Sequence, residues 1–166
     1  MEAQANNRLQ PCLLNRLTDD DAKNSAESRT ERVVSLSRYK EGVLRDLRWL
    51  FNSSAHIAGE PIHDNPDLRT SVLNFGVRDL SGLVAESLDL ESYRRQIIEA
   101  LLAFEPRLDR NKLEVRFVGD DASGGKSHHA GTLRFEIMGE LFARPMPERF
   151  LARTEIDLET GQCVLI

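Results

Sequence analysis

The spacing of apolar side chains changes once along this chain, from every third or fourth residue to every second, and the change falls at Asn111. Before it, Leu36, Tyr39, Val43, Leu47 and Leu50 recur at helical intervals, with Leu44 and Phe51 widening the stripe. Arg38, Lys40, Glu41, Arg45, Asp46 and Arg48 fill the remaining positions, which predicts a helix over 33–52 with one wet and one dry face. Glu41 precedes Arg45 by four residues, a helix-supporting arrangement. Trp49 lies off the strict stripe and is expected to cover the edge of the core. Asn65-Pro66 reads as an N-cap and first helical residue. Leu68, Val72, Leu73 and Phe75 follow, so a helix of some two and a half turns is expected there, with Gly76 as its C′ residue. A further helix starts near Leu90 behind Asp89, buries Tyr93, Ile97, Leu101 and Phe104, and stops before Pro106.

After Asn111, the segments 113–118, 132–138, 150–158 and 163–166 alternate apolar and polar residues, as half-buried strands do. Helices first and a strand meander afterwards define an α+β fold: three helices packed on one antiparallel sheet of about four strands, with a mobile N-terminal extension. The expected division is an extension over 1–32 and a domain over 33–166. Within the extension, the island 11–17 carries Leu13, Leu14 and Leu17 beside Arg16, followed by a run with almost nothing to bury. A frayed end and a docking segment that orders on a partner are both open readings.

Charge excludes some functions. With 22 Lys+Arg against 27 Asp+Glu, the net charge of −5 argues against a nucleic-acid surface. No apolar run approaches the roughly 20 residues that cross a bilayer, so no direct membrane insertion is expected. The first residues lack the basic and apolar regions of a secretory signal, and a cytoplasmic location follows as an expectation.

Catalytic signatures are weak. The clusters Asp19-Asp20-Asp21 and Asp120-Asp121 fall in polar stretches where water keeps carboxylates near their ordinary acidity, the wrong setting for a general acid. His128-His129 has no third ligand at a recognisable spacing, and neither do Cys12 and Cys163. Gly124-Gly125-Lys126-Ser127 lacks the spacing of a phosphate loop. His56, His63, Ser35, Ser37 and Ser71 have no catalytic companion. The expectation is a protein without catalytic residues, metal or cofactor.

One motif remains. In Phe104-Glu105-Pro106-Arg107-Leu108, opposite charges flank a proline at a helix end. Arg107 could neutralise Glu105 locally, or the pair could form a rigid bipolar knuckle offered to a partner. This motif after an Ile/Leu-rich helix resembles the EPR motif of the phage baseplate wedge and lysozyme-like family. More closely, the chain is similar to the TssE branch of that family, which serves type VI secretion baseplates. Residues 12–17 resemble its N-terminal "SLLDRL" segment, 39–52 its first long helix, 71–82 its "SVLNYGLPDLSG" stretch, and 154–161 its last hairpin. The resemblance implies a structural wedge subunit at an inner-membrane-docked baseplate, bound to TssF and TssG. It also implies a contact with the sheath subunits TssB and TssC that starts sheath assembly. Glu105, Pro106 and Arg107 carry over as the partner-binding motif, joined by Leu13, Leu14, Arg16 and Leu17 of the N-terminal segment. Two departures stand out: Cys12 replaces a small polar residue, and the loop 119–131 has no counterpart. The alternative is a muramidase of the lysozyme-like type, with Glu105 as its acid.

Overall fold

The computed structural model describes residues 12–18, 35–56, 61–83, 88–118, 131–143 and 146–166. Most of the expected extension and most of the loop 119–131, with His128 and His129, lie outside the described residues.

Among the described residues, four α-helices precede four strands. Helix α1 spans Leu13–Leu17, and α2 spans Leu36–Phe51. Ser35 caps α2 by accepting a hydrogen bond from the Arg38 N–H at 3.2 Å. Its stripe is buried from Tyr39 through Val43, Leu47 and Leu50, whereas Leu36 stays exposed at the start of the helix. Helix α4 spans Leu90–Phe104, capped by Asp89 through the Ser92 N–H and ended by Glu105 ahead of Pro106. Tyr93, Ile97 and Leu101 are buried as read, and Phe104 is only half-buried.

The segment behind Asn65 differs from its expected helix. Helix α3 covers only Pro66–Arg69, and a 3₁₀ turn follows over Val72–Asn74. Side chains take the carbonyls a longer helix would need: Ser71 Oγ donates to the Leu68 oxygen at 2.9 Å, and Asn74 Nδ2 to the Arg69 oxygen at 3.0 Å. Val72 and Leu73 face solvent, so no apolar burial holds the helix together. Gly76 follows Phe75, the C-cap of this 3₁₀ turn, and so stands at C′ of a turn and not of the expected longer helix. It brings the chain against Ser53, whose carbonyl oxygen would lie 2.2 Å from any Cβ there, at a φ of +136°. This contact sits beside a parallel bridge between Ser54 and Val77.

Strands β1 (Glu114–Phe117), β2 (Thr132–Leu141), β3 (Glu148–Asp157) and β4 (Cys163–Leu165) form an antiparallel meander in the order β1-β2-β3-β4. Strands β2 and β3 outrun their sequence patterns because they pair without interruption from Thr132↔Asp157 to Leu141↔Glu148. One sheet face buries Val115, Leu133, Phe135, Ile137, Phe150, Ala152 and Ile156 against the helices, α4 nearest β1 and α2 nearest β4. Each of these side chains larger than Ala152 contributes about 1.5–3 kcal/mol by leaving water. The opposite face carries ion pairs, Arg134 with Glu155 at 2.7 Å and Arg153 with Glu136 at 2.8 Å.

A groove built on a buried ion network

Helix α4 ends where the chain must turn to enter the sheet, and the turn is pinned from both sides. Leu108 forms an isolated bridge with Leu141, and the Phe142 N–H donates to the Arg107 carbonyl at 2.9 Å. Pro106 fixes the turn's own φ. With the backbone fixed, Arg107 folds back on Glu105. Its Nε donates to Glu105 Oε1 at 2.6 Å, its Nη2 to Oε2, and its backbone N–H to Oε1 at 3.1 Å. The same Nη2 reaches Asp46 Oδ2 on α2 at 2.7 Å. Glu105 is only 4% exposed. The knuckle is rigid, but its charges face each other rather than outward, because a carboxylate this buried needs its counter-charge at hand.

The network continues along α2. Arg45 donates to Asp46 Oδ1 from Nε at 2.9 Å and from Nη2 at 2.8 Å. Its Nη1 donates to Asn15 Oδ1 at 2.5 Å and its Nη2 to the Cys12 sulfur at 3.5 Å, both beside α1. The guanidinium also lies 5.1 Å from the centre of the Trp49 ring, within cation–π range. Burial opposes the charge on Arg107 and on Arg45. Hydrogen bonds to Glu105 and Asp46, and to Asp46 and Cys12 respectively, outweigh it and hold both guanidinium groups above the usual arginine range. Burial likewise pushes the Tyr39 phenol up, against the pull of nearby Arg107, and its hydroxyl donates to the Phe142 carbonyl at 3.3 Å.

Around this network lies an open groove of about 620 Å³. Its walls come from α1 (Leu13, Leu14), α2 (Trp49 and Leu50), the Phe75–Phe104 pair and the Glu105-Pro106-Arg107 turn. The two rings of that pair meet edge to face at 5.2 Å. Of the residues singled out in the sequence, Leu13, Leu14, Glu105, Pro106 and Arg107 therefore come together in one place. Leu17 is 74% exposed and does not line the groove, and the side chain of Arg16 lies outside the described residues. Sequence reading missed Asp46, Arg45 and Asn15. A signal was present: Gly42, buried inside α2, marks a close approach one turn before Asp46 and two before Trp49. A Cβ on Gly42 would stand 3.2 Å from the Asn15 amide.

No cluster of three metal-binding side chains occurs among the described residues, and no described helix is long and apolar enough to cross a membrane.

The fold and site define an α+β domain whose buried charges hold the wall of an open groove. Residues 37–146, well over half of the 166, match the family described as baseplate wedge protein gp25, and the chain belongs to that family. This is the family to which the order of motifs pointed. The matched region contains all of α2 but Leu36, the groove turn, β1 and β2, and excludes α1. No curated protein and no solved structure gives a significant match.

Proposed function

We propose that this chain is the wedge subunit of a type VI secretion baseplate that binds TssF and TssG through the groove. The observation that supports this most is the convergence of Leu13 and Leu14 with Glu105, Pro106 and Arg107 on one apolar groove, from positions some ninety residues apart in sequence. In this reading Glu105 and Arg107 do not touch the partner as free charges. They fix the wall that Pro106, Phe104 and Trp49 present, and the exposed apolar surface supplies the binding energy. The site would belong to a soluble baseplate subunit standing at the inner membrane without entering it.

Sheath initiation on TssB and TssC belongs to the same proposal. Strand β4 is a three-residue edge strand. The Cys163 N–H and C=O are already paired with the Asn52 carboxamide at 3.0 and 2.9 Å. Arg153 and Ile166 exchange both backbone hydrogen bonds, so the alternation of antiparallel pairing turns the Leu165 N–H and C=O to the open edge. A strand from a sheath subunit could add there. The muramidase alternative has less support: both Glu105 oxygens are engaged by Arg107, which also stands between Glu105 and its neighbour Asp46.

The test is co-purification with TssF and TssG. Trp49→Ala and Leu13→Ser/Leu14→Ser should weaken the complex at least ten-fold while leaving the melting temperature within about 2 °C. Unchanged affinity in both variants would remove the groove from the interface. Glu105→Ala and Arg107→Ala are unsuitable as clean binding probes, since each strands a buried partner.

A further inference from the structure

Helix α1 has five residues, far too few to persist alone in water. Apolar burial does not explain its position, since Leu13 is 68%, Leu14 41% and Leu17 74% exposed. Its inner side is polar. Asn15 and Cys12 meet the Arg45 guanidinium, and the bare Cα of Gly42 leaves room for the Asn15 amide. The helix thus lies with its polar side down and its leucines out, reversed from an ordinary surface helix. Arg45 is itself held in place by Asp46, the residue that also holds Arg107.

We propose that Arg45 is a positioning residue that seats α1 as a detachable wall of the groove, so that closure of the site is set by polar contacts to Asn15 and Cys12. This rests on the groove being a partner site only in its second step. In the first, α1 exchanges between seated and released forms, and Arg45 sets the balance. In the second, a partner that touches Leu13 and Leu14 binds the seated form, and its apparent affinity scales with the seated fraction.

The chain carries its own probe. Cys163 is buried with its thiol pushed up to about 12, so it stays unreactive near neutral pH, while Cys12 is partly accessible beside Arg45. Iodoacetamide labelling of the full-length protein at pH 7.5, read by intact mass, reports the seating of α1. Two contacts of ordinary strength predict labelling of Cys12 about ten-fold slower in the native chain than in urea. Asn15→Ala and Arg45→Met should each return the native rate to within about two-fold of the urea rate. Arg45→Met removes both polar contacts to α1 and Asn15→Ala only one, so acceleration in both variants reports release of the helix. A native rate equal to the urea rate, or protection that survives both substitutions, overturns the proposal. For the second step, Asn15→Ala should lower affinity for purified TssF–TssG about two-fold, in step with the fall in the seated fraction, with no change in melting temperature. Labelling that responds while affinity does not would overturn the role of α1 as a wall. Failure of the wild type to bind at all would instead strike the proposed function, leaving the labelling result to stand by itself.

Discussion

Helix α2 is tied to the rest of the molecule at two places by opposite chemistry. Midway along it, Asp46 and Arg45 join a chain of charges that runs from Glu105 through Arg107 to α1. At its C-terminal end, the neutral carboxamide of Asn52 clasps the backbone of Cys163, beside a polar cleft of about 150 Å³ that Tyr93 also lines. Both ties satisfy groups that water cannot fully reach. They differ in what breaks them. The charged tie is vulnerable to loss of a single member, because the survivor is a buried ion. The neutral tie is vulnerable to alkali, because the groups around it are buried in their protonated forms.

The largest effect should come from the charged tie. Arg107→Ala leaves Glu105 buried beside Asp46 with no counter-charge and should cost about 3–5 kcal/mol in urea unfolding. A double variant, Glu105→Leu with Arg107→Met, should recover most of that loss, since an apolar pair of similar volume needs no desolvation. If the double variant is as unstable as the single one, the pair stabilises through something other than mutual neutralisation.

Next comes alkaline unfolding, which should act mainly through the groups around the neutral tie, with a smaller share from the Tyr39 phenol beside the groove. Burial holds the Cys163 proton up to about 12, against about 9 for an ordinary thiol in water, and it raises the Tyr93 phenol too, helped by Cys163 and Asp79 and opposed by Arg78. Above pH 9 the unfolded chain sheds the thiol proton first, so stability is complete below that point and falls as pH rises toward 12. The thiol's share of the loss should be roughly 2–4 kcal/mol over the window. Cys163→Ala should flatten the profile between pH 9 and 10 and make it shallower up to 12, whereas Tyr93→Phe should reduce the slope only above 10. The arginines of the charged tie are held above their usual range and do not titrate there.

The two ties were not equally legible in the sequence. Periodicity exposed both long helices and the four-strand meander, since each depends on burial along one face. Asp89 was legible as the cap of α4, whereas Ser35 was not legible as the cap of α2. The groove was legible at its rim, because Glu105-Pro106-Arg107 breaks a helix in a way that regular pairing does not explain. Its interior was not. Asp46 and Arg45 look like ordinary members of a wet helix face until Arg107, sixty-one residues onward in the case of Asp46, arrives beside them. The expected helix behind Asn65 failed for a related reason: apolar spacing was present, but Val72 and Leu73 found no surface to pack on, and Ser71 and Asn74 captured the free carbonyls. The Asn52–Cys163 clasp joins the two ends of the domain and leaves no local trace.

A smaller effect should follow from that clasp. Asn52→Ala removes two hydrogen bonds from an edge strand that water can partly rehydrate, so a loss of about 1–2 kcal/mol is expected. Amide exchange at Cys163 should speed up while exchange at Ile137, in the middle of the sheet, keeps the global rate. Equal acceleration at both would mean that the clasp supports the whole fold and not only β4.

The smallest effect tests whether burial, and not the mere presence of an ion pair, separates the charged tie from the rest of the surface. Arg153 and Glu136 meet at 2.8 Å on the outer sheet face, close to the 2.7 Å between Arg107 and Asp46. Their side chains differ in exposure, 64% for Arg153 against 19% for Arg107. Water and salt screen the outer pair, and a lone Glu136 can be rehydrated when its partner is removed. Arg153→Ala should therefore cost less than about 0.5 kcal/mol, and even that should vanish in 1 M salt, where the Debye length is about 3 Å. A cost approaching that of Arg107→Ala would mean that pair geometry alone sets the energy, and the distinction between the groove's network and the sheet's ladder would collapse.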